Sequence, residues 1–545
     1  MFQWEEKKRI INKEKMYYYS RLFNLDPLVL ELILDRGFEN EDEISSFLFP
    51  SFDNFYNPFA LNDMSKAVDR IFQAIQRNEQ ICIFGDYDVD GICSSTLLFQ
   101  ALTSFSANIS FRLPLRSEGY GINEIQIKQI AALGTSLIIT VDNGSNAHPA
   151  FQVAKSIGID VIVTDHHEIL SKHPDVYAFI NPMRSDSTYP FQKLCGAGVA
   201  FKLVQALLKK IKRDDWKKEL WKYVELAAIG TIADVMPLIG ENRTIAHLGI
   251  QKLNHDPSPV LKRFKGILQY PKIDSTVIAF KIAPMLNASG RVDDANFATK
   301  LLLDENVTEL ELRYFIKMNE MRKEMTAAQL QHAEDRILSD GLGKNAILVV
   351  HGDFHEGIIG IIAARLTEKY KKPSIVITAS GKGSARSVPE TNFSIVEAIG
   401  KTSGYLKSFG GHRAAAGLSV DMFQLSKFIE KVQPSIENSE IFNPVSYYDF
   451  EMPLAQFTSQ LFDNFQCMEP FGEGNRAPIY RATEKFQHVI PFGKQNQHAK
   501  LINNEKEALL FGRCSFVINS FNSEFDYLYS SSSKNQFIVK EIRIK

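Results

Sequence analysis

Short apolar, β-rich runs that close on an aspartate recur through the first half of the chain, and they constrain its fold more than any other feature. Residues 81–85 (ICIFG) lead into Asp86-Tyr87-Asp88-Val89-Asp90, 137–141 (LIITV) into Asp142, and 161–164 (VIVT) into Asp165-His166-His167. A fourth run, 226–233 (LAAIGTIA), leads into Asp234. The segments between strand candidates 81–84, 109–113, 137–141, 161–164 and 177–180 are long enough for crossover helices, the signature of a parallel, doubly wound α/β sheet. In such a sheet the carboxyl ends of neighbouring strands share one crevice, where ligands bind. Reading all four runs as strands brings acids and imidazoles from positions 86 to 234 into that crevice.

Each station alone has an ordinary explanation. An aspartate after a strand usually caps a helix or forms a turn, and a His-His pair is more often a polar surface pair than a ligand set. Four such coincidences of position are a stronger signal than any one. Carboxylates gathered in one crevice repel one another and resist desolvation, and divalent cations resolve that repulsion. Carboxylate oxygens suit hard cations, and imidazole adds preference for transition metals. Two Mn²⁺ ions are expected, with Mg²⁺ as competitor. Ions about 3.5–4 Å apart brace both the attacking and the leaving oxygen of a phosphoryl centre. Asp142, from a central strand, is the expected shared ligand.

At 545 residues the chain is too long for one core. Residues 1–75 read as helix and loop, 76–304 as the doubly wound domain, and 305–339 as a long connecting helix with few breakers. A smaller α/β domain is expected over 340–440 and a small β-barrel over 441–545. The formal net charge of −2 provides no global positive field, so nucleic-acid binding needs a local basic groove. Five widely spaced cysteines without a C-x-x-C pair argue against a disulfide framework and for a reducing compartment. The N-terminus has no apolar signal core, and no apolar run is long enough to span a bilayer. A cytoplasmic monomer without membrane contact is expected.

GDYDVDG at 85–91, VDNG at 141–144, Asp165-His166-His167 and GTIADVMPL at 230–238 resemble the DHH phosphoesterase superfamily. RSEGYG at 116–121, LNASGR at 286–291, HEGIIGI at 355–361, GGHRAAAG at 410–417 and PFGEGN at 470–475 extend the likeness, in order, to the RecJ family of single-stranded-DNA exonucleases with DHH, DHHA1 and oligonucleotide-binding (OB) domains. The resemblance implies that Asp86, Asp88, Asp142, His166 and Asp234 ligate two ions. It places His167 beside the scissile phosphate, with Asp165 and Asp142 also in the catalytic group. Either Asp86/Asp88 or Asp88/Asp90 is the ligating pair; the first is favoured, with Asp90 free to cap the following helix.

On the substrate side, the GKGSARS segment (381–387) follows a strand candidate. Its glycines let backbone N–H groups approach an anion, and Ser and Arg add directed donors, although a plain surface loop is equally consistent with the spacing. By resemblance, Arg116, Arg291, Ser384 and Arg386 hold a terminal 5′-phosphate, for which the planar guanidinium is well suited. His355, Gly411 and His412 contact nucleotide. Lys494, Lys500, Arg513, Lys534, Lys540, Arg543 and Lys545 supply positive charge to the barrel, although scattered lysines are more often a solvated face. No domain is expected beyond Lys545. The implied activity is 5′→3′ hydrolysis of single-stranded DNA to 5′-mononucleotides in recombination and repair, with single-stranded-DNA-binding protein and a RecQ-type helicase as partners. A nanoRNase or cyclic-dinucleotide phosphodiesterase, which lacks the barrel, and an inactive DNA-binding scaffold are the alternatives.

Overall fold

Strand β1 (Gln3–Glu6) pairs in parallel with residues far along the chain, Val445–Tyr448, so the N-terminal segment is tied to the start of the C-terminal part. The structure is a computed structural model that describes residues 3–211, 214–389, 391–435 and 445–545. The expected boundary at 440/441 lies outside the described residues. Three short helices, Lys13–Phe23, Pro27–Asp35 and Glu41–Leu48, follow β1. Their Val29, Leu30, Ile33 and Phe47 share one core with Leu454, Phe457, Tyr480 and Phe537 of the C-terminal barrel. From Phe55 onward the chain joins the core of the doubly wound domain instead. The segment expected as one N-terminal extension is thus divided, over its described residues, between two cores.

The central sheet comprises β2 (Gln80–Phe84), β3 (Ile109–Arg112), β4 (Thr135–Val141), β5 (Asp160–Thr164) and β6 (Ala178–Ile180). All pair in parallel, in the order β3-β2-β4-β5-β6. Side chains alternate across each strand. Ile81, Ile83, Leu137 and Ile139 face one helical layer with Leu97 and Val204, while Cys82, Phe84, Ile138 and Val163 face another with Ile127 and Phe151. Both faces are covered, which is why these strands read as unbroken apolar runs.

The fourth run is different. Residues 226–233 lie within a helix, Val224–Ala233, and Asp234 ends that helix, not a strand. Periodicity cannot distinguish a short apolar strand from a helix buried all round. Small residues make the second outcome possible. A Cβ on Gly230 would lie 2.6 Å from that of Ala197, so the helix packs closely on the helix Gly196–Lys210.

The connecting helix runs from Glu309 to Ser339. Thr308 and Glu311 cap its start reciprocally: Glu311 N–H donates to Thr308 Oγ1, and Thr308 N–H to Glu311 Oε2 at 2.8 Å. The helix packs against Ala283–Val292 at one end and Ile359–Tyr370 at the other, bridging two lobes. The second lobe holds β7 (Leu348–Gly352), β8 (Ser374–Thr378), β9 (Lys382–Arg386), β10 (Leu406–Gly411) and β11 (Ala415–Val420), in the order β10-β11-β9-β8-β7. The GKGSARS segment is therefore mostly a strand rather than an anion-binding loop. Its register explains the glycine, because a Cβ on Gly383 would stand 2.9 Å from Leu418 on the packed face.

The last part of the chain forms a seven-stranded sheet. Following β12 (Val445–Tyr448), its members are β13 (Phe450–Glu451), β14 (Tyr480–Glu484), β15 (His488–Phe492), β16 (His498–Asn503), β17 (Lys506–Leu510), β18 (Phe525–Ser531) and β19 (Gln536–Ile544). They are arranged β13-β14-β18-β19-β17-β16-β15. Among the described residues, no helix is long and apolar enough to cross a membrane.

Candidate metal centre

Three sheet strands and one helix deliver their terminal acids to a single pocket. His166, just past β5, has its Nε2 3.1 Å from Asp142 Oδ1, 3.7 Å from Asp90 Oδ2 and 3.8 Å from Asp234 Oδ2. Two ligand-type groups lie side by side, Asp86–Asp88–Asp142 and Asp90–His166–Asp234, and Asp142 also belongs to a third with Asp165, His166 and His167. Asp142, like His166, belongs to two of the three groups, and its contact with His166 Nε2 links the two triads. It adopts a left-handed backbone (φ +61°), uncommon for a non-glycine residue. Gly196 makes room for it: a Cβ there would meet the Asp142 Cβ at 2.4 Å.

The short motif departs from expectation in one respect. Asp88, not Asp90, caps the helix Val89–Ser104, its Oδ1 accepting from the N–H groups of Asp90 and Gly91 at 2.9 and 3.1 Å. Asp90 is buried and receives the N–H groups of Gly196 and Ala197 at 2.6 and 2.8 Å, at the positive start of another helix. All three acids therefore converge, and Asp90 stands with His166 and Asp234.

The electrostatics describe a site short of positive charge. Burial, then Asp88, pushes the Asp86 carboxyl well above the usual range; burial, then Asp90, Asp88, Asp86 and Asp234, does the same to Asp142. Asp234 rises to about 8 through burial and the charges of Asp90 and Asp88. Its place at the negative end of a helix is itself unfavourable for an anion. Asp86 Oδ1 and Asp234 Oδ2 are buried without a hydrogen-bond partner. Unpaired carboxylate oxygens and one imidazole fit Mn²⁺ or Mg²⁺. Asp86, Asp88 and Asp142 suit one ion, and Asp90, His166 and Asp234 a second.

Asp165 is already satisfied by protein groups. Its Oδ1 accepts from His166 N–H and His167 Nδ1–H, both at 2.8 Å, and its Oδ2 from Ser145 N–H at 2.8 Å. Against its burial, His167 and these bonds hold Asp165 well below the usual carboxylate range. Burial disfavours the His167 cation, but Asp165 outweighs it and lifts His167 to about 9. The Tyr120 hydroxyl lies 3.1 Å from both His167 ring nitrogens. Tyr120 was not singled out by the sequence reading, although it sits inside the RSEGYG motif, where an aromatic between two glycines was the available signal.

Beside the metal centre, Arg116 stacks over Tyr87 at 4.2 Å and donates its Nε–H to Gly290 O at 2.7 Å. Arg291 donates to Gly357 O at 2.8 Å. A Cβ on Gly357 would strike the Arg291 carbonyl at 2.1 Å, so this glycine permits the two lobes to dock. Burial, followed by the charges of Arg116 and Arg322, lowers Arg291 to about 10. Ser384 and Arg386, two apart on β9, share a face, with Arg386 Nη1 3.0 Å from Ser384 Oγ. Arg322, from the connecting helix, joins this group and was missed by the sequence reading. His355 Nδ1 accepts from Gly357 N–H at 3.1 Å and so holds the docking turn. Gly411 and His412 form the β10–β11 hairpin tip, where His412 Nδ1 lies 3.8 Å from Glu168 Oε2, next to the histidine pair. Of the C-terminal basic residues, Lys500, Lys534, Arg543 and Lys545 are tied to carboxylates.

Models of three families match the chain: the DHH family N-terminal domain over 80–231, the DHHA1 domain over 343–438 and the RecJ OB domain over 448–537. The chain is 34% identical over 513 residues to the single-stranded-DNA-specific exonuclease RecJ of Bacillus subtilis, covering 91% of this chain and 64% of that protein. It is 32% identical over 472 residues to RecJ of Escherichia coli, covering 79% and 80%. The structure of Thermus thermophilus RecJ in complex with Mn²⁺ superposes with a TM-score of 0.85 at 23% identity, over 100% of this chain and 80% of that one. A manganese-bound exonuclease RecJ matches with a TM-score of 0.60 at 29% identity, over 69% and 94%. The chain belongs to the RecJ family of DHH/DHHA1 proteins.

Proposed function

We propose that this chain is a metal-dependent exonuclease that hydrolyses single-stranded DNA from the 5′ end to 5′-mononucleotides, in recombination and repair. The observation that carries it is the adjacency of the acid–histidine centre to an arginine group at the lobe interface. Bound Mn²⁺ or Mg²⁺ would neutralise phosphate charge and activate water. Asp86, Asp88, Asp142, Asp90, His166 and Asp234 would hold the ions. Arg116, Arg291, Ser384 and Arg386 grip the terminal 5′-phosphate, which sets the cut one nucleotide in. A water oxygen bonds to phosphorus as the bond to the 3′-oxygen of the terminal nucleotide breaks; the 3′-oxygen takes up a proton, and the phosphate stays on the shortened strand as its new 5′ end. His167, kept protonated by Asp165, lies beside that phosphate, and Tyr120 fixes the ring. His412 and Gly411 line the cleft from the opposite lobe.

Single-stranded-DNA-binding protein and a RecQ-type helicase as partners, and a monomeric state, belong to the same proposal by family resemblance. A cytoplasmic location is supported by five free cysteines. The test is product analysis on 5′-labelled single-stranded and duplex DNA with Mn²⁺, Mg²⁺ or chelator. Labelled mononucleotide from the single strand alone, abolished by chelator, is expected; products from internal cuts contradict it.

A further inference from the structure

A groove of about 500 Å³ runs from the end of the helix Val224–Ala233 to the C-terminal barrel, and two strained elements present apolar side chains to it. Val235, directly after Asp234, is 66% exposed and left-handed (φ +56°). It closes the helix by donating to Ile232 O, while Met236 donates to Thr231 O, a turn whose left-handed position glycine usually fills. A β-branched residue there is an outlier that needs a reason. Opposite it, Phe280 is 72% exposed, on a π-helical turn, Ile278–Ile282. Pro284 has no N–H to return to the Phe280 carbonyl, which accounts for the widened turn. Such turns are frequent at functional sites.

We infer that Val235 and Phe280 form a shelf on which bases of the DNA strand, on the 3′ side of the scissile phosphate, pack and stack; this rests on the exonuclease proposal. Continuity supports that occupant. Residues 275–292 form one helical run, with Phe280 near its start and Arg291 near its end. They are eleven positions apart, about 16 Å at helical rise. One rigid element therefore presents both the arginine that grips the 5′ terminus and the ring that meets the strand farther on, and the groove wall flanks the metal-site residue Asp234. Charge supports it too. Lys281 stands beside Phe280, and Lys540 and Arg476 line the groove at the barrel. Lys281 and Lys540 have no carboxylate within ion-pair distance among the described residues. Aromatic faces next to cations are how sequence-tolerant single-strand sites are built.

The test compares 5′-phosphorylated oligonucleotides from the shortest that the wild-type chain hydrolyses up to a 20-mer, with Mn²⁺. Phe280→Ala is expected to lower kcat/KM on the 20-mer about tenfold, chiefly through KM. It leaves the shortest substrate unchanged, and Phe280→Tyr restores the loss. Val235→Gly is expected to weaken long substrates alike while raising the Tm, because glycine relieves the strained backbone. One abasic position within the first few nucleotides slows the wild type and not Phe280→Ala. Equal losses on short and long substrates, or no loss on the 20-mer, overturn the shelf. A wild-type chain that leaves every single strand intact overturns the exonuclease proposal itself, a distinct result.

Discussion

His167 Nδ1 donates to Asp165 Oδ1 at 2.8 Å, and this bond joins the last residue of the DHH triplet to its first. Both Asp165 oxygens are taken up by protein N–H groups, so that Asp165 orients His167 and the backbone that carries His166. Asp165→Asn is expected to lower kcat about 10–100-fold, the usual cost of removing an orienting partner, while Mn²⁺ still binds. Calorimetric metal titration beside single-turnover kinetics checks both halves. Loss of metal stoichiometry instead makes Asp165 a ligand.

Arg386 shares its face of β9 with Ser384 and has no carboxylate partner among the described residues. Arg386→Ala is expected to reduce the preference for 5′-phosphorylated over 5′-hydroxyl ends by about 10–100-fold, the value of a charge-assisted hydrogen bond of about 1.5–3 kcal/mol. The ratio of kcat/KM on the two ends is the measurement, and an unchanged ratio removes Arg386 from the pocket.

The metal-free protein is expected to lose stability as pH rises. Asp234 is lifted from 3.8 to about 8, so between those values the folded chain holds a proton that the unfolded chain has released. Stability from that proton is present at low pH and fades as pH climbs toward 8. Tm in chelator should fall from pH 6 to 8.5, Asp234→Asn should flatten the slope, and Mn²⁺ should raise Tm most at high pH. A Tm that climbs with pH in chelator contradicts the crowding of the carboxylates.

Arg243 is buried with no acid within ion-pair distance among the described residues. It donates to the carbonyls of Phe47, Cys467, Met468 and Glu469 and lies 3.6 Å from the Phe47 ring centre, clasping N-terminal segment, central domain and barrel. Arg243→Met strands several buried acceptors and should cost about 3 kcal/mol or more. Urea denaturation measures it; a cost below about 1 kcal/mol contradicts the clasp.

Three of the four acidic stations were legible because strand alternation and parallel pairing are local rules with a fixed outcome, and β2, β4 and β5 obey them. Asp234 reached the same pocket from a helix, since LAAIGTIA satisfies a buried helix as well as a strand, and only its packing on Ala197 decides between them. That Asp88 rather than Asp90 caps the helix turned on Gly196 and Ala197, about a hundred residues away, whose N–H groups claim Asp90. Tyr120 and Arg322 were hidden for the same reason: what each faces is set by tertiary docking. The sharing of one core between residues 13–48 and the barrel left no periodic trace.

Mn²⁺ titration of the wild-type chain and of Asp142→Ala, followed by calorimetry with hydrolysis assayed at each point, tests the central claim most directly. Two ions per wild-type chain, activity that rises with their occupancy, and loss of both in a folded Asp142→Ala protein are expected. Hydrolysis that persists in chelator, or an Asp142→Ala protein that binds two ions and cuts at the wild-type rate, contradicts a shared metal centre.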